Sequence, residues 1–410
     1  MDCPLSKELC DHIISSRDVK YTTIERIGPI EDIKPYIVIR ESDNLFIGIT
    51  KKNYLRLFKE VHTYWHEQIL TKEINYEELI EKSSQEELLT LYYFTIGYML
   101  TTHENHSIIN IHELVVMELY KTNDKEFSVE FIENEIHIIL TFISSRLSKI
   151  NKSSSLWFWL KKLTIWTILD PLISGKDVQH DGEILILKSF RSCQLHFANY
   201  YANNFLRWLS GILLYVTISI DNQVAKQIAN KLLELEWIQL KTICHSNLSD
   251  SSTWGLMEYQ IKQQGQYAYN MKIVLDEYNR IIGILNNNGI RYINVVNSSE
   301  FTSKSKSKSN TSGEIDHIIL SELKWLVDID CSVLTPFVSL IRPMLELKYS
   351  IKSITTVESI VNSKVQDLNK LLEEHPDDKL SGWYAKQSDL VKLFNKLISL
   401  LQEVKQVTSS

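Results

Sequence analysis

The stretch "SSSLWFWLKKL", Ser153–Leu163, sets Trp157, Phe158 and Trp159 side by side and follows them with Lys161 and Lys162. Successive residues of a helix point about 100° apart, so three adjacent aromatics cannot share one face. If this segment is helical, at least two of its faces are covered. One helix lying on one neighbour does not supply that, so the fold turns on whether the stretch recurs.

It does recur, loosely. The unit is a helix ending in an apolar run, then a short polar turn, then a second helix that opens with Trp. Glu135–Ile150 followed by "NKSSSLWFWLKKL" is the clearest copy. Glu183–Leu195 with "HFANYYANNFLRWL", Lys231–Ile243 with "NLSDSSTWGLMEY" and Val365–Glu374 with "HPDDKLSGWYAKQSDLV" are further copies. A weaker first copy is Leu88–Thr101 with "HENHSIINIHELVV". The equivalent positions Ile109, Trp157, Asn203, Trp254 and Trp383 are spaced by 48, 46, 51 and 129 residues. The long last interval has room for one degenerate copy, with "LTPFVSLIRPML" (Leu334–Leu345) as its candidate. One hairpin cannot bury its apolar face alone, whereas stacked hairpins can, with each Trp wedged between its own hairpin and the next. Trp157, Trp159, Tyr201, Trp254 and Trp383 are read as the repeat core.

Composition agrees with long helices. The 410 residues are 44% apolar and 10% aromatic, yet hold only 12 Gly and 7 Pro, too few turn residues for a sandwich or barrel. A net charge of −7 gives no electrostatic footprint for nucleic acid. The five cysteines (Cys3, Cys10, Cys193, Cys244, Cys331) are scattered and form no CxxC pair, which fits a reducing compartment and the cytoplasm. The start "MDCPLSKELC" is charged, unlike a signal peptide, and the end "QVTSS" has no prenylation box. The most apolar run, Trp208–Ile220, is 13 residues long, short of the ~20 a membrane span needs.

Residues 1–60 differ from the rest. Tyr36–Ile39 and Leu45–Thr50 favour strands around the turn-like Glu41–Asn44, which predicts a small β hairpin in an N-terminal head. Helical periodicity then fills a repeat domain over 61–410. It is clearest in Leu88–Leu100, Glu135–Leu147, Ile184–Phe190, Phe205–Val216, Val224–Leu240, Ile261–Leu285, Ile315–Val327, Val357–Leu372 and Leu390–Val404. Gly175–Glu183 reads as a polar connection, and the Ser/Lys-rich 297–314 as a disordered, solvated loop. The expected class is all-α, a right-handed superhelix of helical hairpins.

Intrinsic chemistry is sparse. His62 and His66 share a helix face, but no third ligand is evident, and Glu67 is not placed as in HExxH. His103 and His106 fall in a turn, and Cys244-His245 has no orienting acid. "GILNNNG" (Gly283–Gly289) lacks the spacing of a phosphate loop. No metal site is expected in this chain.

The copies resemble the protein prenyltransferase α-subunit repeat, whose second helix opens with a small turn and Asn-Tyr-x-x-Trp-x-x-Arg or a Pro-Lys-Ser variant. "KSSSLW" (Lys152–Trp157), "NYYAN" (Asn199–Asn203) and "HPDDKLSGW" (His375–Trp383) carry that likeness. "IERIGPIED" (Ile24–Asp32) and "YIVIRESDNLFIGI" (Tyr36–Ile49) are similar to the head of the divergent α subunit of type III protein geranylgeranyltransferase. The resemblance implies a subunit active only with a β subunit of the Rab geranylgeranyltransferase type, which would hold the zinc. The co-substrate would be geranylgeranyl diphosphate, and the target a protein with a C-terminal cysteine, such as a farnesylated SNARE. It implies Lys152 as the catalytic lysine that steadies the departing diphosphate, Asn199 and Tyr200 as its neighbours, and Trp157, Trp159, Tyr201, Trp254 and Trp383 as repeat core and β-subunit interface. The family's His-Arg pairs are replaced here by Trp159-Leu160 and Phe205-Leu206. Two alternatives stay open: a non-enzymatic helical-repeat scaffold that binds peptides or proteins, and a diverged α subunit of farnesyltransferase or Rab geranylgeranyltransferase.

Overall fold

The apolar phases at three- and four-residue steps form helices, and polar caps set their ends. The computed structural model describes residues 2–17, 19–29, 34–72, 75–147, 149–265, 270–290, 312–346, 351–375 and 381–409. The chain divides into two units. The first comprises Met1–Leu209, Ile220–Glu236 and Leu275–Val296, and the second Ser210–Ser219, Trp237–Val274 and Asn297–Ser410.

The first unit opens with α1 (Pro4–Ile14), β1 (Tyr21–Ile27), β2 (Ile37–Glu41) and β3 (Asn44–Thr50). The expected hairpin is present: β2 runs antiparallel to β3 across a turn at Ser42, whose φ of +49° suits such a connection. The sheet, however, has three strands in the order β1-β3-β2, with β1 parallel to β3 from Tyr21↔Asn44 to Ile27↔Thr50. "YTTIERI" buries Thr22, Thr23 and Ile24 in succession, so it lacks the alternation that announces a strand. α1 was likewise unmarked. Its first amides are held by a carboxylate on another element, with Leu5 and Ser6 each donating at 3.0 Å to Glu60.

The helices that follow are α2 (Lys51–Tyr64), α3 (Tyr76–Lys82), α4 (Gln85–Thr101), α5 (His106–Thr122), α6 (Lys125–Ile143), α7 (Ser154–Thr164), α8 (Asp170–Ile173) and α9 (Gln179–Leu195). Thr50, Asn75, Asn105, Asp124 and Ser153 accept from the first-turn amides of α2, α3, α5, α6 and α7, and Ser84 with Glu87 forms a capping box on α4. Two helices do not end cleanly. α2 runs into a π turn at Trp65–Ile69, and α7 into another at Ile165–Leu169. Gly175, at φ +84°, makes the turn before α9, which already begins within the segment read as a polar connection.

α10 (Tyr200–Ser219), α11 (Gln223–Ser246) and α13 (Met271–Asn287) each give residues to both units. The second unit also holds α12 (Ser251–Gly265), α14 (Ser312–Asp328), α15 (Leu334–Glu346), α16 (Ile351–Glu374) and α17 (Gly382–Ser409). Buried charge links α11 to α14, where Glu322 takes Lys241 and His245 at 2.6 Å each and His245 stacks on Trp325 at 3.7 Å. The single helix expected over Ile261–Leu285 is divided, since α12 ends at Gly265 and α13 starts at Met271. Most of 297–314 lies outside the described residues; Ser312 onward is the start of α14.

Trp157 and Trp159 now have their answers. Trp159 Nε1 donates to Glu135 of α6 at 2.8 Å, and its ring meets His112 of α5 edge-on. Trp157 turns the other way, against Phe205 of α10, with Nε1 bonded to the Asn151 carbonyl at 2.8 Å. Successive turns also bond to one another. Ser153 Oγ donates to the His103 carbonyl 50 residues earlier at 2.8 Å, and Asn199 Nδ2 to the Asn151 carbonyl 48 residues earlier at 3.2 Å.

Glu135 is the centre of this packing. It is fully buried, and its carboxylate accepts from Tyr92 Oη of α4 (2.7 Å), His112 Nε2 of α5 (2.8 Å) and Trp159 Nε1 of α7 (2.8 Å). Burial alone would raise its pKa, but His112 and these hydrogen bonds together hold the carboxyl below its ordinary 4.5. Glu135→Ala is expected to cost about 3–5 kcal/mol, since it leaves the partners of a buried charged group unmet. Tyr92→Phe is expected to cost about 1 kcal/mol. Both are read as lower urea midpoints. The stability Glu135 contributes is complete above its unfolded pKa and fades as pH falls through the lower folded one. The gap between wild type and Glu135→Gln is therefore widest at neutral pH and closes in acid, which melts at a series of pH values would check.

Candidate ligand-binding cavity

A cavity of about 610 Å³ opens in the first unit. One wall is α6, whose Glu133, Ile136, His137 and Leu140 recur at three- and four-residue steps on one face. Opposite it, α9 presents His180, Asp181 and Ile184. The π turn after α7 supplies Trp166, Thr167 and Ile168, and Asp170 and Pro171 of α8 continue that wall. A π turn carries an extra residue and often marks a functional site. Here it sets Trp166 edge-on to Tyr120, at 4.5 Å between ring centres, and both line the cavity. Lys176, Asp177, Val178, Gly289 and Ile290 also line it. At Arg17, the guanidinium bonds Glu133 at 2.7 Å and Asn134 at 3.1 Å.

The lining mixes two characters. Ile132, Ile136, Leu140, Trp166, Ile168, Val178, Ile184 and Ile290 are apolar. Among the charged side chains, Glu133, Asp170, Asp177 and Asp181 outnumber the cations Arg17 and Lys176. Burial raises the pKa of Asp181, and the charge of Glu133 adds to it.

Behind His137 lies a lysine. Lys188 of α9 is 1% exposed, with Nζ 3.4 Å from His137 Nδ1 and 3.5 Å from Thr141 Oγ1. Among the described residues no carboxylate pairs with it. Burial lowers its pKa from 10.5 to about 7. The same burial, with the charges of Lys188 and Arg17, pushes His137 from 6.5 to about 2. A neutral His137 accepts from Lys188 at Nδ1 and therefore carries its proton on Nε2, which donates to Ser16 Oγ at 3.3 Å.

None of the residues given a catalytic, substrate-binding or repeat-core role from the sequence lines this cavity. Lys152 ends a short turn before α7, and its Nζ donates to the Phe197 carbonyl at 3.1 Å in an exposed setting. Asn199 is buried, with Nδ2 on the Asn151 carbonyl and on Ser192 Oγ (3.0 Å), while its Oδ1 accepts from the Ala202 amide of α10. Tyr200 and Tyr201 are exposed, with their rings in a T-shaped arrangement. Trp157 and Trp159 are buried beside these turns as described above. In the second unit Trp254 is buried and Trp383 is 40% exposed, edge-on to His375. His62 bonds Thr102 Oγ1 at 3.1 Å. Among the described residues no three His, Cys, Asp or Glu side chains are grouped to hold a metal ion, and no helix is long and apolar enough to cross a membrane. The residues missed were His137, Asp181 and Lys188. Their signal was a charged or titratable side chain on the apolar phase of a buried helix, as in "EILILKSF".

The fold and cavity define a mostly helical protein of packed hairpins with an internal pocket. Two family models match in succession, the ECM9 N-terminal domain over residues 1–144 and the ECM9 middle domain over 156–285. Protein ECM9 of Saccharomyces cerevisiae is 29% identical over 230 residues, which are 56% of this chain and 52% of that protein. The chain thus spans about half the length of the curated relative it matches. No solved structure matches it. These matches point to the ECM9 family and correct the prenyltransferase assignment. The α-subunit function, the transferase activity, the Rab-type β partner and the C-terminal-cysteine or SNARE target all depended on that assignment. So did the zinc and geranylgeranyl diphosphate expected with it. The scaffold and diverged-subunit alternatives match no better. The resemblance has a physical source. Helix caps such as Ser153 and Asn199, followed by a buried aromatic such as Trp157, are what this packing of helical hairpins uses at its turns.

An unfolded chain holds the Lys188 proton up to about 10.5, and the folded one releases it near 7. Stability is therefore expected to rise with pH across that interval. Lys188→Met should raise the melting temperature at pH 7 and flatten its rise between pH 7 and 9, leaving the part below 6.5 that belongs to His137. A variant with an unchanged pH profile would contradict the buried setting of this amine.

Proposed function

We propose that the first unit binds a small amphipathic molecule in the cavity between α6, α9 and the π turn. The observation that carries this is a cavity of about 610 Å³ whose lining combines eight large apolar side chains with four carboxylates. An apolar body against Ile136, Trp166 and Ile184 would gain roughly 25 cal/mol for each Å² removed from water. The polar end would face Asp177, Asp181 and His137. With four carboxylates against two permanent cations, the lining favours a neutral or cationic group over a carboxylate. The wall around the pocket belongs to hairpins that we read as successive repeats of one superhelical array. Hydrogen bonds between turns about 48 to 50 residues apart support that reading.

Titration calorimetry with octanol, octylamine and octanoate tests the proposal. Octanol and octylamine are expected to bind the wild-type chain and octanoate to bind at least about tenfold more weakly, a difference of ~1.4 kcal/mol. Ile184→Trp, which fills the space, should abolish binding while circular dichroism stays unchanged. Equal binding by that variant, or no binding of any of the three, would remove the cavity reading.

A further inference from the structure

A second, smaller space also borders α6. It is a crevice of about 200 Å³ bounded by α4, α6 and the end of α1, and none of the residues that line it lines the large cavity. Helical spacing gathers its aromatic rings. Tyr92 and Tyr93 come from α4, and Phe127 and Phe131 lie at i and i+4 on α6, with Glu130 and Asn134 on the same face at i+3 and i+7. The four rings form one connected set. Phe127 and Phe131 are nearly parallel with centres 5.7 Å apart, Tyr92 meets Phe131 at 5.1 Å with a tilt of 59°, and Tyr93 is T-shaped to Tyr92 at 5.7 Å. Tyr92 and Phe131 are buried, whereas Tyr93 and Phe127 are half-buried and open to solvent. Among the described residues of the lining, Glu130 alone is charged, and it is exposed.

We propose that this crevice is an aromatic cage for a trimethylammonium group of the kind choline carries. The face of an aromatic ring is the negative end of its quadrupole and attracts a cation within about 6 Å of the ring centre. The chain already shows that attraction here. Exposed Lys7, which is not part of the lining, stands with Nζ 5.9 Å from the centre of the Tyr93 ring. Tyr92 is a stronger donor of π density than an ordinary tyrosine, because its hydroxyl donates to the Glu135 carboxylate at 2.7 Å and that bond polarises the ring. Glu130 supplies a full negative charge, which an aliphatic guest would not need. Size sets the part of the ligand that enters. The crevice is smaller than the roughly 300–1,000 Å³ of a site for a drug-sized molecule, so it takes a head group. Hydration then selects among cations. A primary ammonium is compact and strongly hydrated, and stripping its water is costly. A quaternary ammonium spreads its charge over methyl groups and donates no hydrogen bonds, so it enters cheaply and packs its methyls against the rings. The site is independent of the large cavity, and its reading does not rest on the one given above.

Proton NMR of choline titrated with the full-length chain provides the test. The control is dimethylbutanol, in which a carbon replaces the choline nitrogen and the shape is kept without the charge. Choline is expected to bind about tenfold more tightly than the control, a difference of ~1.4 kcal/mol. Its N-methyl signal should move upfield in the ring currents of the cage. Tyr93→Leu and Phe127→Leu, at half-buried positions, should each weaken choline about threefold or more with the circular dichroism unchanged. Glu130→Gln, which keeps the shape, should weaken choline and leave dimethylbutanol unaffected. Equal affinity for choline and dimethylbutanol, no shift of the N-methyl signal at millimolar choline, or full binding by the Tyr93→Leu Phe127→Leu double variant would each overturn the proposal. Co-sedimentation with phosphatidylcholine vesicles separates the sources of the group. Capture that free choline reverses assigns it to a lipid head, and choline binding without capture assigns it to a free small molecule, both of which support the cage.

Discussion

A single carboxylate organises the first unit. Glu135 accepts one hydrogen bond from each of α4, α5 and α7, so four consecutive helices converge directly on two oxygen atoms. A buried carboxylate is costly unless several donors reach it, and here three do. The requirement fixes more than energy. Tyr92, His112 and Trp159 must arrive in one register, and an apolar core would tolerate sliding that this geometry does not. Lys162 and Glu113, buried on α7 and α5, add a second polar tie between the same hairpins.

Much of this was legible in the sequence, and its limits follow from the same physics. Helices over 88–100, 184–190 and 224–240 emerged from their apolar phase. The two-sided aromatic cluster correctly implied neighbours on two faces, because steric geometry alone demands it. β1 was invisible, since its pairing with β3 is parallel and non-local, and Thr22 and Thr23 look polar while being buried. The cavity was invisible for a related reason. Its chemistry comes from Arg17, His137 and Asp181, which no local pattern brings together. The turn lysine Lys152 was conspicuous in sequence because turns are exposed and polar, whereas Lys188 was hidden in an apolar run. The likeness to prenyltransferase repeats was carried by caps and aromatics, which report how hairpins pack and not what they act on.

The contrast between those two lysines shows how a fold sorts similar side chains. Lys152 keeps its ammonium at the surface and bonds one carbonyl. Lys188 is stripped of solvent, and its proton becomes negotiable. The cost falls behind His137, which lines a cavity that a π turn also walls. Departures from ideal packing that gather in one place are what a site looks like before its ligand is known.

The N-terminal segment reaches the cavity across a long stretch of chain. Contacts between neighbouring hairpins span about 50 residues, but Ser16 meets His137, and Arg17 meets Asn134, across 121 and 117 residues. The extra loop-closure entropy is modest, about 0.6 kcal/mol for each doubling of length, so the segment docks without strong thermodynamic penalty. Leu9, Cys10 and Ile13 of α1 are fully buried beside these polar bonds, so part of the cavity wall is supplied by a segment more than a hundred residues away along the chain.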